Sequence, residues 1–185
     1  MPHPSSSILH GGRPAVCLLL LLSLLMTSCS MLDFLRFRPE HKLRDYEGRW
    51  YVIARMPNRF EEGLICTTTT YSFSDDGMLT VINAGRERNS GRVTSLTSRV
   101  WVPDLDKPDI FRVQLFFTIT RDFRLVYMDE SKDCAIIGSM SGYLMWIICR
   151  NPAIDDDRYQ ALVKEAAANG YDTSRLIPVE QSCWQ

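Results

Sequence analysis

The chain has 185 residues, with 21 Lys and Arg against 22 Asp and Glu and a net charge of −1 at pH 7. Its 45% hydrophobic content is that of a folded, core-forming chain, and no basic run or basic face marks a nucleic-acid binder. No CxxC spacing exists among the six cysteines, and His41 is the last histidine, which argues against a zinc site.

Residues 1–28 read as a signal peptide. A polar opening with Arg13 precedes an apolar run from Ala15 to Met26. That run suits a signal core and falls short of the roughly 18 residues needed to span a bilayer. Met26-Thr27-Ser28-Cys29 resembles the lipobox of bacterial lipoproteins, and Ser30 in place of aspartate resembles their outer-membrane sorting signal. The resemblance implies acylation of Cys29 and a tether over 29–42. It also implies attachment to the bacterial outer membrane, facing the periplasm. Several acyl chains would give a stable anchor. Loss of Arg13 with the leader leaves a mature chain of net charge −2.

From residue 43 onward the chain reads as one domain, 43–185, of a size that buries a real core. Eight segments carry β-branched and aromatic residues: 49–56, 66–73, 78–85, 92–101, 110–118, 123–129, 134–140 and 143–150. Turn chemistry separates them: Asp75-Asp76-Gly77, Asn89-Ser90-Gly91, the proline-bounded 103–108, Arg121-Asp122, Ser131-Lys132-Asp133 and Ser141-Gly142. Short links imply antiparallel neighbours. Eight such strands close as an up-and-down barrel with room for one small ligand. The link from Pro57 to Ile65 is longer and reads either as a lid at a barrel mouth or as a plain solvated loop. Asn151-Pro152 ends the sheet. A helix follows over 155–169, with aspartates at its N-terminus, Gly170 at its stop and Tyr159, Leu162, Val163 and Ala166 as the stripe that packs on the barrel. An extended tail ends the chain. The fold class is therefore all-β, an eight-stranded antiparallel barrel with one C-terminal helix.

Gly48-Arg49-Trp50-Tyr51 resembles the G-x-W signature that opens the first strand of the lipocalins. Asp129 resembles the acidic residue of their second motif, although the aromatic residue usual a few positions later is missing. Trp146 to Pro152, with Arg150, resembles the third. Over roughly 43–183 the chain is similar to lipocalins, above all the bacterial outer-membrane lipocalins and the related apolipoprotein D. The resemblance implies that Trp50 plugs the closed end, that Arg150 lies over its indole and binds carbonyls near Leu43–Tyr46, and that Gly48 and Asp129 are structural. It also implies a disulfide from Cys66 to Cys183 that clamps the tail. Cys134 and Cys149 lie symmetrically about Ser141-Gly142, either bonded across a hairpin or as two buried thiols. Directly opposed cross-strand bonds are geometrically awkward, so free thiols are the expectation.

With Trp50 inward, period-two alternation puts Val52, Ala54 and Met56 on the inner face. Tyr71 inward, as in the related proteins, brings Thr69 and Thr67 with it. The fourth and fifth strands contribute Val100, Phe111, Val113 and Leu115, and Trp146 and Ile148 share the face of Arg150. The expected ligand is a small hydrophobe of the fatty-acid or lysophospholipid class, with its polar head near the mouth and no cofactor. Two other functions compete. One is lipocalin-fold enzymology using Cys134 or Cys149 as nucleophile, for which no base is evident and neither GxSxG nor HExxH occurs. The other is a ligand-free envelope interaction protein. Whether the barrel forms a homodimer stays open.

Overall fold

The eight expected strands form in order, each antiparallel to its chain neighbour: β1 (Gly48–Arg55), β2 (Leu64–Phe73), β3 (Leu79–Glu87), β4 (Val93–Trp101), β5 (Ile110–Phe116), β6 (Ile119–Met128), β7 (Cys134–Ser139) and β8 (Met145–Cys149). β1 closes the barrel by pairing with β2 along Gly48–Tyr51 and with β8 along Tyr51–Arg55. The computed structural model describes residues 44–184 apart from 74–78, 105 and 117–118. The leader 1–28, Cys29, the tether 29–42 and the turn Asp75-Asp76-Gly77 lie outside the described residues.

Alternation along the strands sorts the apolar side chains into two cores. The inner one fills the closed half of the barrel and includes Trp50, Val52, Tyr71, Val81, Phe111 and Phe123. The outer one lies between the barrel wall and helix α1 (Asp156–Ala168), where Leu162 and Ala166 meet Ile136, Met145, Ile147 and Tyr171. Local chemistry fixes the ends of α1. The Asp155 carboxylate accepts from the Arg158 amide at 2.7 Å as N-cap. At the other end Tyr171 N–H donates to Ala166 O and Gly170 N–H to Ala167 O, a Schellman stop with Gly170 at φ +88°.

Three sequence expectations need correction. Ala54 and Met56 do not face inward: both are buried in the outer core against α1. Between Val52, opposite Ile148, and Ala54, opposite Ile147, β1 carries the extra residue Ile53. Such a bulge inverts every later side chain. Arg121-Asp122 is no turn but part of β6. Asp122 lies opposite Arg112 on β5 and accepts from its Nε and Nη2 at 2.6 and 2.8 Å. Finally, Cys134 and Cys149 are disulfide-bonded. They are cross-strand partners with Cα atoms 4.1 Å apart, and the flanking Arg150 N–H donates to Asp133 O. This is the non-hydrogen-bonded kind of pair, in which side chains approach most closely. The expected Cys66–Cys183 disulfide is present.

The tail completes the barrel. β9 (Ile177–Pro178) pairs with Ala54 and Arg55. Val179 N–H reaches Ile53 O, Cys66 N–H reaches Glu180 O, and Gln181 Nε2 donates to Val52 O at 2.7 Å and Thr67 O at 3.0 Å. One glutamine thus bridges β1 and β2 where the two strands part.

Candidate functional site

The closed end is built on β1 and β8. Trp50 is fully buried, and its Nε1–H donates to Tyr46 O at 2.7 Å. The Arg150 guanidinium lies 3.9 Å from the centre of the indole ring. Its Nη1 and Nη2 donate to Arg49 O and Asp45 O at 3.1 and 3.0 Å, closing the short 3-10 turn Arg44–Tyr46 over the barrel base. Gly48 has φ +96°, and a Cβ there would sit 3.2 Å from Arg150 Nη1. The glycine of the first motif therefore meets both a backbone and a space requirement. Asp129 ends β6. Its Oδ1 accepts from the Asp133 and Cys134 amides, and its Oδ2 pairs with Arg158 of α1.

Above this floor lies a cavity of about 290 Å³. Six of the residues expected to contact ligand line it: Thr69, Tyr71, Val100, Phe111, Val113 and Trp146. Val52, Thr67, Leu115 and Ile148 join them, and Ala54 and Met56 do not. The Phe123 ring packs edge-on against Trp146 at 5.8 Å and stacks on Phe111 at 6.4 Å, giving an aromatic wall. Tyr71 stands at the bottom, its ring 5.5 Å from that of Tyr46. Burial pushes the Tyr71 phenol up to about 12, against the opposing effects of the Thr69 hydroxyl and the Arg150 charge. The phenol is therefore neutral at physiological pH.

The link between β1 and β2 roofs the cavity. Asn58, Phe60 and Glu61 of this loop belong to its lining. The Glu61 carboxylate accepts from Trp146 Nε1 and from Asn58 Nδ2, both at 2.7 Å, while Asn58 Oδ1 accepts from the amides of Phe60 and Glu61. The loop is thus held down on the aromatic wall by a charged hydrogen bond. The solvated-loop reading gives way to a cover. Glu61 is the one charged side chain of the lining among the described residues. The sequence places two adjacent glutamates in this loop, and only Trp146, on the last strand, distinguishes Glu61 from Glu62.

Neither Cys134 nor Cys149 reaches this cavity. Their side chains lie in the outer core, joined to each other.

Residues 42–181 match the lipocalin-like domain family. The chain is 32% identical to the outer membrane lipoprotein Blc of Escherichia coli strain K12 over 136 residues, 74% of this chain and 77% of that protein. It is 25% identical to the Vibrio cholerae Blc over 165 residues, covering 88% and 96% of the two chains. Among solved structures, lobster apocrustacyanin A1 superposes with a TM-score of 0.61 at 17% identity, over 79% of this chain and 84% of that one. Closed barrel, trailing helix and matched domain agree: the chain belongs to the lipocalin family.

Proposed function

We propose that this lipocalin is anchored by acylated Cys29 to the outer membrane, facing the periplasm, and stores or carries one small hydrophobic ligand of the fatty-acid or lysophospholipid class. The observation that carries the reading is the cavity itself. Its wall is largely aliphatic and aromatic, with neutral polar groups such as Thr69, Tyr71 and Asn83 among it. Its one charged group among the described residues, Glu61, sits at the roof beside Asn58 and the Trp146 indole. An acyl chain fits the wall and a polar head fits the roof. A volume of about 290 Å³ lies at the small end of the roughly 300–1,000 Å³ typical of ligand pockets, which favours one chain over two. The Blc relatives are outer membrane lipoproteins by name, which supports the envelope location. An enzyme is disfavoured because the cysteines nominated as nucleophiles are joined in a disulfide outside the lumen.

Native mass spectrometry of the full chain extracted from its own membrane tests the binding. Bound lipid is expected, and titration of delipidated protein with fatty acids should quench fluorescence in the parent and much less in Trp146→Phe. A protein that stays empty through both measurements sinks the proposal. Labelled palmitate should enter the parent and not Cys29→Ala.

A further inference from the structure

A second concavity lies outside the lumen, between the β1–β2 loop, the β3–β4 turn and the C-terminal tail. It measures about 500 Å³, and three arginines, Arg55, Arg59 and Arg88, line it with Glu62 and Glu180. Glu180 is already engaged, accepting from Arg88 Nη1 at 2.7 Å and from Ser182 Oγ at 2.6 Å.

Arg55 is the informative residue. The bulge at Ile53 turns it away from α1 and onto the face of its cross-strand partner Trp146. It retains 6% exposure. Its Nη2 donates to the carbonyl of Glu61 at 2.6 Å, and its Nε has no hydrogen-bond partner among the described residues. The Glu61 carboxylate points elsewhere, to Asn58 and Trp146. Among the described residues, Arg55 is thus a buried cation held by one backbone carbonyl and in ion-pair contact with no carboxylate, Glu62 lining the same concavity without bonding it. Uncompensated buried charge is strongly unfavourable, and proteins ordinarily supply a partner. The surroundings are fixed in place. Arg88 N–H bonds Gly63 O at 3.0 Å, Cys66 N–H bonds Glu180 O at 2.7 Å, and the Cys66–Cys183 disulfide pins the tail that forms one wall.

We propose that this concavity binds a phosphate group, with Arg55 and Arg59 as its principal donors and Arg88 at the edge. Guanidinium groups arriving from two separate chain segments suit a tetrahedral anion, which offers acceptors in several directions. A carboxylate offers two in one plane. The phosphate is either free or part of a lipid headgroup; the chemistry recognised is the same. The site shares no charged residue with the lumen, so its failure leaves the ligand-binding reading untouched.

Calorimetric titration of the full chain, at fixed ionic strength, decides the matter. Inorganic phosphate should bind saturably at one site, more tightly than acetate, with chloride giving no saturable heat. Arg59→Gln should weaken phosphate at least tenfold, the loss of about one charge-assisted hydrogen bond. Arg55→Gln should abolish binding, and if that variant fails to fold, Arg59→Gln and Arg88→Gln carry the test. Glycerophosphoglycerol binding more tightly than inorganic phosphate identifies a lipid headgroup as the source, and the reverse order identifies the free anion. Absence of a saturable phosphate isotherm overturns the proposal, as does undiminished affinity in Arg59→Gln or tighter binding of acetate.

Discussion

At the scale of single residues, the base of the barrel depends on a cation resting on an indole and on a glycine that lets it do so. Trp50→Ala removes the largest fully buried side chain and should destabilise the fold by about 3–5 kcal/mol. Gly48→Ala retains the tryptophan but forces a side chain into positive φ beside Arg150 Nη1, with an expected loss of about 1–3 kcal/mol. Urea melts of both variants check the pair, and a Gly48→Ala midpoint equal to the parent's would contradict the close approach of Arg150. Asp129 adds a pH dependence. Burial opposes its ionisation, but the amides of Cys134 and Asp133 and the Arg158 guanidinium prevail, so its carboxyl is held below the ordinary range. The sign follows from that depression. The contribution is fully present above the unfolded value near 3.9 and is lost as pH falls through the lower folded value. Asp129→Asn should therefore be less stable by about 1 kcal/mol at pH 7, a figure kept small by the solvent around Arg158, and the difference should fade as pH falls through the lowered folded value. Unfolding midpoints between pH 2 and 7 measure it.

At the scale of elements, helix α1 is attached to the barrel through a gap left by one residue. A Cβ on Gly138 of β7 would fall 2.2 Å from Tyr171 Oη. Tyr171 donates to Ser139 O and lies beneath Arg124, whose guanidinium carbon is 5.6 Å from the ring centre. Gly138→Ala must evict this tyrosine, so we expect a loss of about 1–3 kcal/mol and weakened near-ultraviolet tyrosine dichroism with the barrel retained. An unchanged spectrum would show that the ring does not occupy this slot. The elements show what a sequence can and cannot disclose. Alternation and turn residues announce eight strands, because half-buried strands must alternate. The caps announce α1 because Asp155 and Gly170 act within one turn of its ends. The inner face of β1 was legible only as far as Val52. Ile53 looks like any strand residue, and its bulge is tied to a bond from Val179, far along the chain. The inward set was therefore wrong at Ala54 and Met56, and the inward side of Arg55 was invisible. Arg121-Asp122 misled for a related reason: a charged pair reads as a turn until its partner, Arg112, is known. Nothing local in the sequence ranks Glu61 above Glu62, because its partner Trp146 comes from the last strand of the barrel.

At the scale of the whole molecule, the barrel is held shut by its own C-terminus. β1 serves β2 along one half and β8 along the other, and the tail enters where β1 and β2 diverge, with Gln181 bonded to a carbonyl on each. The Cys66–Cys183 disulfide holds this wedge across a separation of 117 residues. A chain-entropy estimate for so long a loop is about 4–5 kcal/mol, which for a domain of this size corresponds to roughly 10–20 °C in Tm. The paired variant Cys66→Ser and Cys183→Ser should melt lower by that amount. Its native state should also change locally, which a purely denatured-state effect would not produce. With the tail released, the amides of Cys66 and Val179 lose their partners Glu180 O and Ile53 O and should exchange with solvent much faster. The β5–β6 ladder, on the far side of the barrel order, should keep its protection. Hydrogen exchange under native conditions separates the two. If protection falls evenly around the barrel, or not at all near Cys66, the tail is a passive appendage. If it falls at the β1–β2 seam alone, the tail serves as the closing piece, and the roof loop anchored beside it depends on that closure.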